Sequence, residues 1–202
     1  MRKILLTLLL VLAGIVPASA EPSGAPGDPA AQQISRFYDT LLASMKGGSS
    51  LGVEGRYRKL EPVIEQTFDL ATMTRVAVGP SWSSMSASDQ QNLVRAFSRM
   101  TIADYAKNFD SFSGEQFTID PNVQTRGEDK LVSTKLISGK STTPFIYRMR
   151  QAGGTWKVVD VFLSGFASEL ATKRADYAST LSSGGAPALT TKINSIADGL
   201  LK

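Results

Sequence analysis

Five acidic residues, Asp69, Asp104, Glu115, Asp160 and Glu169, are the candidates for proton transfer in this chain of 202 residues. Asp160 stands out. It lies in the middle of an alternating run, Thr155 to Ser164, on the side that carries Trp156. A carboxylate buried there without partners would be a candidate base. Beside Tyr147 it would imitate the Asp and Tyr of an isomerase pocket, with Asp160 as general base. The plainer reading is that Asp160 pairs with an arginine or caps backbone donors, because buried acids are as a rule satisfied.

The rest of a catalytic kit is missing. The chain has no histidine and no cysteine, which removes the commonest general base, Ser-His-Asp and Cys-His arrangements, and zinc sites of Cys/His type. Ser133, Ser164 and Ser168 therefore have no base to activate them. Gly79-Pro80 and Gly153-Gly154 are turns, since no GxxxxGK[ST] or GxGxxG pattern occurs. Arg148 and Arg150 alternate onto one strand face and can meet a phosphate head group through charge-assisted bonds; the bland reading is a solvated face.

The elements that must hold these residues follow from period. Ile34, Phe37, Tyr38, Leu41, Leu42 and Met45 form a helical stripe stopped by Gly47-Gly48-Ser49-Ser50. Val53 to Thr67 is a second helix, in which Pro62 predicts a kink or break. Asp69 is the N-cap of a short helix over Leu70 to Val78, which Gly79-Pro80 ends. Ser86-x-x-Asp89 resembles a capping box and starts a helix to about Asn108, whose buried side carries Leu93, Val94, Phe97, Met100 and Tyr105. The period then becomes 2 in four runs: Gln116 to Thr125, Lys130 to Ser138, Thr143 to Gln151 and Thr155 to Ser164. Short turns between them predict an antiparallel meander. Helices over Phe166 to Leu181 and Pro187 to Leu201 close the chain, separated by Gly184-Gly185. Helices, then sheet, then helices is an α+β order. The last strand is apolar on both faces near its end, a surplus that either helices cover or a cavity uses.

The ends and the composition place the domain. Arg2 and Lys3, the apolar run Ile4 to Val16 and Ala18-x-Ala20 read as a secretory signal over residues 1–20, cleaved after Ala20. The apolar run is shorter than the about 20 residues that span a bilayer. Residues 21–29 carry three prolines and two glycines and read as a flexible leader, and 30–202 as one domain. Losing Arg2 and Lys3 leaves 20 basic residues against 18 acids, a net charge of +2. The positives are scattered, which argues against nucleic acid as partner and leaves membrane-surface contact open.

Phe68-Asp69, Met73-x-Arg75, Gly79, Trp82, the capped helix Ser86 to Tyr105, and Trp156-Lys157-Val158-Val159-Asp160 with Gly165 together resemble the MlaC, or toluene-tolerance, family. The variant Gly165-Phe166-Ala167-Ser168-Glu169-Leu170-Ala171, with Arg174 after it, is similar to the hopanoid-associated HpnM branch. The resemblance implies a periplasmic lipid carrier: a sheet covered by helices, NTF2-like in shape, around an apolar cavity that takes a phospholipid or a hopanoid. It implies no chemistry, no cofactor and no metal, and as partners an inner-membrane lipid-transport complex and an outer-membrane component. Met73, Val76, Phe97, Met100, Tyr105, Ile146, Val158 and Phe162 are the expected cavity lining, Arg148 and Arg150 the expected head-group contacts, and Trp156 with Asp160 anchors of the last strand. Two rivals stand beside this reading. One is an NTF2-like enzyme acting on a hydrophobic substrate through Asp160, the other a structural or chaperone-like envelope protein with only an exposed apolar patch.

Overall fold

A computed structural model describes residues 27–164 and 167–202. The expected signal segment lies outside the described residues, as do Gly165 and Phe166. Asp28 caps the first helix through its carboxylate, which accepts from the Ala30 amide at 2.8 Å and meets Lys130 at 2.6 Å. Pro29, within the expected leader, already begins that helix.

Helix α1 (Pro29–Thr67) is two helical pieces joined through non-helical Gly48 (φ 44°) and Gly52 (φ 61°). Left-handed φ is cheap only for glycine, so the Gly-rich stop acts as read. The buried Arg56 guanidinium ties the break to the next helix, donating to the Ala106 carbonyl at 2.7 Å and the Gly48 carbonyl at 2.9 Å. The expected break at Pro62 does not occur: the backbone there stays helical. Pro62 is on the exposed side, where the carbonyl it leaves unpaired can be solvated.

Helix α2 (Leu70–Val78) is capped by Asp69, which accepts from the Thr72 amide at 2.9 Å. A 3-10 turn (Gly79–Ser84) leads to α3 (Ala87–Asn108). Ser86 Oγ accepts from the Asp89 amide at 3.1 Å and donates to Asp89 Oδ2 at 2.8 Å, so the shorter acid closes the box on the hydroxyl instead of the backbone. Helix α4 (Glu169–Leu200) breaks at Gly185 (φ 63°), as the glycine pair predicts.

The sheet is antiparallel and contains β1 (Gln116–Ile119), β2 (Gln124–Arg126), β3 (Asp129–Ser138), β4 (Ser141–Ala152), β5 (Thr155–Leu163) and β6 (Ala167–Ser168). Its order is β1-β3-β4-β5-β6, with β2 also on β3. The run expected as one first strand is thus two, parted at Asp120-Pro121-Asn122, since proline has no donor for the ladder. The free edge of β5 is covered at both ends. Phe68 bridges to Val158, with the Asp69 amide donating to the Val158 carbonyl at 2.9 Å, and β6 pairs with Phe162 and Leu163.

One irregularity governs which side chains face the helices. Between β4 and β5, Arg148 is opposite Asp160 but Met149 is opposite Val158, so β5 carries a bulge at Val159. Val158 lies on the helix side before the bulge, and Val161 and Leu163 lie there after it. Asp160 and Phe162 fall on the open side. The helices pack on the face bearing Tyr147, Met149 and Val158, all buried. The result is an α+β fold, helices against one face of an antiparallel sheet, with an NTF2-like shape.

Candidate functional site

Between the sheet and helices α2, α3 and α4 lies a cavity of about 360 Å³, within the range of about 300–1,000 Å³ typical of ligand sites. Its buried wall is apolar or aromatic: Phe68 and Met73 from the α1–α2 corner, Phe97 and Met100 from α3, Tyr147 and Val161 from the sheet, Leu170 from α4. Helical spacing explains the α3 set, and strand alternation explains Phe145 with Tyr147 and Val161 with Leu163. Two methionines on this wall supply unbranched side chains that adapt to irregular shapes.

The polar lining comes from helices α3 and α4, with Asp104 and Asn108 exposed. Thr101, Asp104 and Asn108 come from one side of α3, and Glu169 and Lys173 from the first turns of α4. Ile196, 41% exposed, stands beside them. Asn108 Nδ2 donates to Asp104 Oδ1 at 2.9 Å. Partial withdrawal from water raises the Asp104 carboxyl above its ordinary value, against the opposing pull of Lys173 and the Asn108 hydrogen bond. Glu169 is raised for the same first reason, with the charges of Asp104 and Asp160 adding to it and Lys173 opposing.

Behind the cavity wall is a buried hydroxyl cluster. Tyr38 Oη lies 2.7 Å from Thr134 Oγ1 and donates to Tyr147 Oη at 3.1 Å. Burial pushes the phenols of Tyr38, Tyr105 and Tyr147 far above their ordinary value. Phe37 packs edge-on against both Phe68 and Tyr105, centroids 5.3 Å apart in each case, which fixes the back of the cavity.

Of the expected lining residues, Met73, Phe97, Met100 and Tyr105 face this cavity and four others do not. Ile146 and Phe162 are partners across β4 and β5 on the open side of the sheet, where they line a groove with Arg126 and Arg148. The bulge at Val159 is the reason: it reverses the alternation, so Val158 and Phe162 cannot share a face. Val158 is fully buried, under the Phe68 bridge. Val76 lies off the inner face of α2, and its carbonyl takes two hydrogen bonds from Arg174, at 2.9 and 2.6 Å.

Arg148 and Arg150 are likewise on the open side, away from the cavity. Both clasp the carboxylate of Asp129, which is 4% exposed, through contacts of 2.5 to 3.0 Å. Asp160 is neither beside Tyr147 nor in the cavity. It accepts from the Val161 amide at 2.8 Å, Ser168 Oγ at 2.7 Å and the Leu170 amide at 3.4 Å, and so caps the start of α4. The backbone-capping reading of Asp160 is the one the structure shows, and the enzyme reading loses its base. Trp156 lies under Lys130 Nζ, 4.6 Å from the ring centroid. Among the described residues no group of His, Cys, Asp or Glu is placed to hold a metal ion, and no helix is long and apolar enough to cross a membrane.

Sequence reasoning missed Phe145, Val161, Leu163, Asp104, Glu169 and Lys173 as lining residues. Glu169 and Lys173 are four apart, and Thr101, Asp104 and Asn108 are spaced three and four. That spacing signals shared helix faces but says nothing of what they face.

No curated protein matches this chain. Among solved structures it is similar to a phospholipid-binding protein from Ralstonia solanacearum, solved in complex with a phospholipid. The TM-score is 0.76 at 21% identity, covering 87% of this chain and 100% of that one; a likeness at this identity is one of fold. The family described as MlaC protein matches residues 35–195. That span takes in α2, α3, the whole sheet and nearly all of α4, and the chain belongs to the MlaC family.

Proposed function

We propose that the protein is a periplasmic lipid carrier that encloses the acyl chains of a phospholipid and passes it between membrane-bound transport components. The observation that carries this reading is the cavity itself: an interior of about 360 Å³, mostly apolar, whose charged lining comes only from helices α3 and α4. A chain methylene exposed to water costs about 0.8 kcal/mol, so a lipid crossing water needs such a shelter. Membership of the MlaC family and the phospholipid bound by the Ralstonia protein of the same fold support the ligand class. The family also supports a periplasmic location; residues 1–20 are the proposed export signal and 30–202 the proposed lipid-binding domain, both from the sequence pattern. An inner-membrane transport complex and an outer-membrane component are the proposed partners. A polycyclic terpenoid lipid is the second reading, favoured by the Gly165-Phe166-Ala167-Ser168 variant.

Mass spectrometry of an organic extract of the protein purified from its native host tests the proposal. A stoichiometric lipid is expected, and its identity separates phospholipid from terpenoid. An extract with no lipid above that of a control protein overturns the carrier reading.

A further inference from the structure

We propose that the mouth of the cavity is a head-group site that selects lipids carrying an ammonium group next to their phosphate over lipids whose head group is purely anionic. The inference rests on the carrier reading and adds to it which head group is held. Its starting point is the charge that each element presents there. Helix α3 supplies Asp104, with Thr101 and Asn108 as neutral neighbours, and α4 supplies Glu169 and Lys173. Helix α2 and the strands supply only apolar and aromatic lining, including Met73, Tyr147 and Val161. The mouth thus holds two carboxylates and one ammonium, an acidic surplus on a chain whose formal net charge is +4. The local sign opposes the global one, so it is not an average property of the surface.

These groups have unused capacity. Asp104 takes one hydrogen bond, from Asn108. Neither Glu169 nor Lys173 has a hydrogen-bond or ion-pair partner within contact distance among the described residues, although they are four apart on one helix. Glu169 is half-buried and Asp104 stands at the solvent side, and packing against the protein lifts each above its ordinary carboxylate value. An extra cation at the mouth relieves that penalty and an extra anion adds to it. A lipid whose chains fill the apolar interior brings its head group to this ring. Its phosphate meets the Lys173 ammonium, and its own ammonium falls between the carboxylates of α3 and α4. A glycerol or bare phosphate head group offers the carboxylates no cation. The arginines do not compete, because Arg148 and Arg150 are held by Asp129 across the sheet.

The test offers the purified protein vesicles of equal parts dioleoyl phosphatidylethanolamine and dioleoyl phosphatidylglycerol, then quantifies the lipid it carries away. Identical chains leave the head group as the only difference. The ethanolamine lipid is expected in excess on the order of tenfold, the worth of about one charge-assisted hydrogen bond. The double variant Asp104→Asn/Glu169→Gln is expected to take the two lipids equally. The single variants cover the case in which the double variant does not fold, each lowering the excess. Equal uptake by the unaltered protein, or an undiminished excess in the folded variants, overturns the head-group site and leaves the carrier standing. Uptake of neither lipid overturns the carrier reading instead.

Discussion

Arg148 and Asp160 stand opposite one another across β4 and β5, on the same face of the sheet, yet each spends its charge elsewhere. Arg148 turns to Asp129, and Asp160 to the amides of Val161 and Leu170 and the Ser168 hydroxyl. The carboxylate that most resembles a catalytic base in the sequence therefore holds α4, and with it Glu169 and Leu170, in place at the cavity.

That role makes Asp160→Ala a stability variant. Loss of the cap and of buried hydrogen bonds is expected to cost about 1–3 kcal/mol, read as a lower urea midpoint. Asp160→Asn, whose amide oxygen still accepts, is expected to recover part of it. An unchanged midpoint in Asp160→Ala would refute the capping role.

The bulge decides which of two adjacent β5 residues faces the cavity. Val161→Trp places a large ring in the cavity, and Phe162→Trp places one in the groove on the other side of the sheet. Mass spectrometry of folded protein is expected to show lipid lost from the first and kept by the second. Lipid retained in Val161→Trp at the unaltered level would mean that this cavity is not where it sits.

Acid stability has two opposed contributions. Burial pulls Asp129 up, but the hydrogen bonds and charges of Arg150 and Arg148 outweigh it and hold the carboxyl below its ordinary value of 3.8. Asp28 is lowered in the same way, by Lys130 and the Ala30 amide against burial. Stability from these two is complete above the ordinary value and is lost as pH falls through their lowered ones. Asp104 and Glu169 are raised, so they bind protons more readily folded than unfolded. They add stability as pH falls through their raised values toward 3.8 and 4.5. Urea midpoints are expected to rise slightly on acidification from neutrality and then drop below those ordinary values. Asp129→Asn is expected to lower the neutral midpoint and flatten the acid limb; an unaltered acid limb would count against the clasp.

Gly79 ends α2 at φ 73°, and a Cβ there would lie 3.2 Å from Arg174 Nε. Gly79→Ala is expected to cost about 1–2 kcal/mol from the left-handed backbone alone, and more if Arg174 must release the Val76 carbonyl. In thermal melts the double variant Gly79→Ala/Arg174→Ala is expected to be less destabilised than the sum of the two singles. Strict additivity would show that the two do not interact.

Much of the fold is legible in the chain because its signals are local. Asp69, Ser86 and the glycine pairs act through the few residues beside them, and the stripe Leu93, Phe97 and Met100 needs only the helical period to be read as buried. The sequence by itself determined the helices and their caps, the meander and the lack of histidine and cysteine chemistry. Of the eight lining residues it named, Met73, Phe97, Met100 and Tyr105 lie at the cavity, all on helices, while Val76, also helical, does not. Tertiary structure decided the rest. A bulge of one residue at Val159 chose Val161 and Leu163 over Phe162, and pairing across the sheet gave Arg148 and Arg150 to Asp129. The meeting of α3 with α4 put Asp104, Glu169 and Lys173 around one opening. Each outcome depends on residues far apart in the chain. A strand's alternation is blind to a one-residue slip, and a polar helix face looks the same whether water or a ligand lies before it.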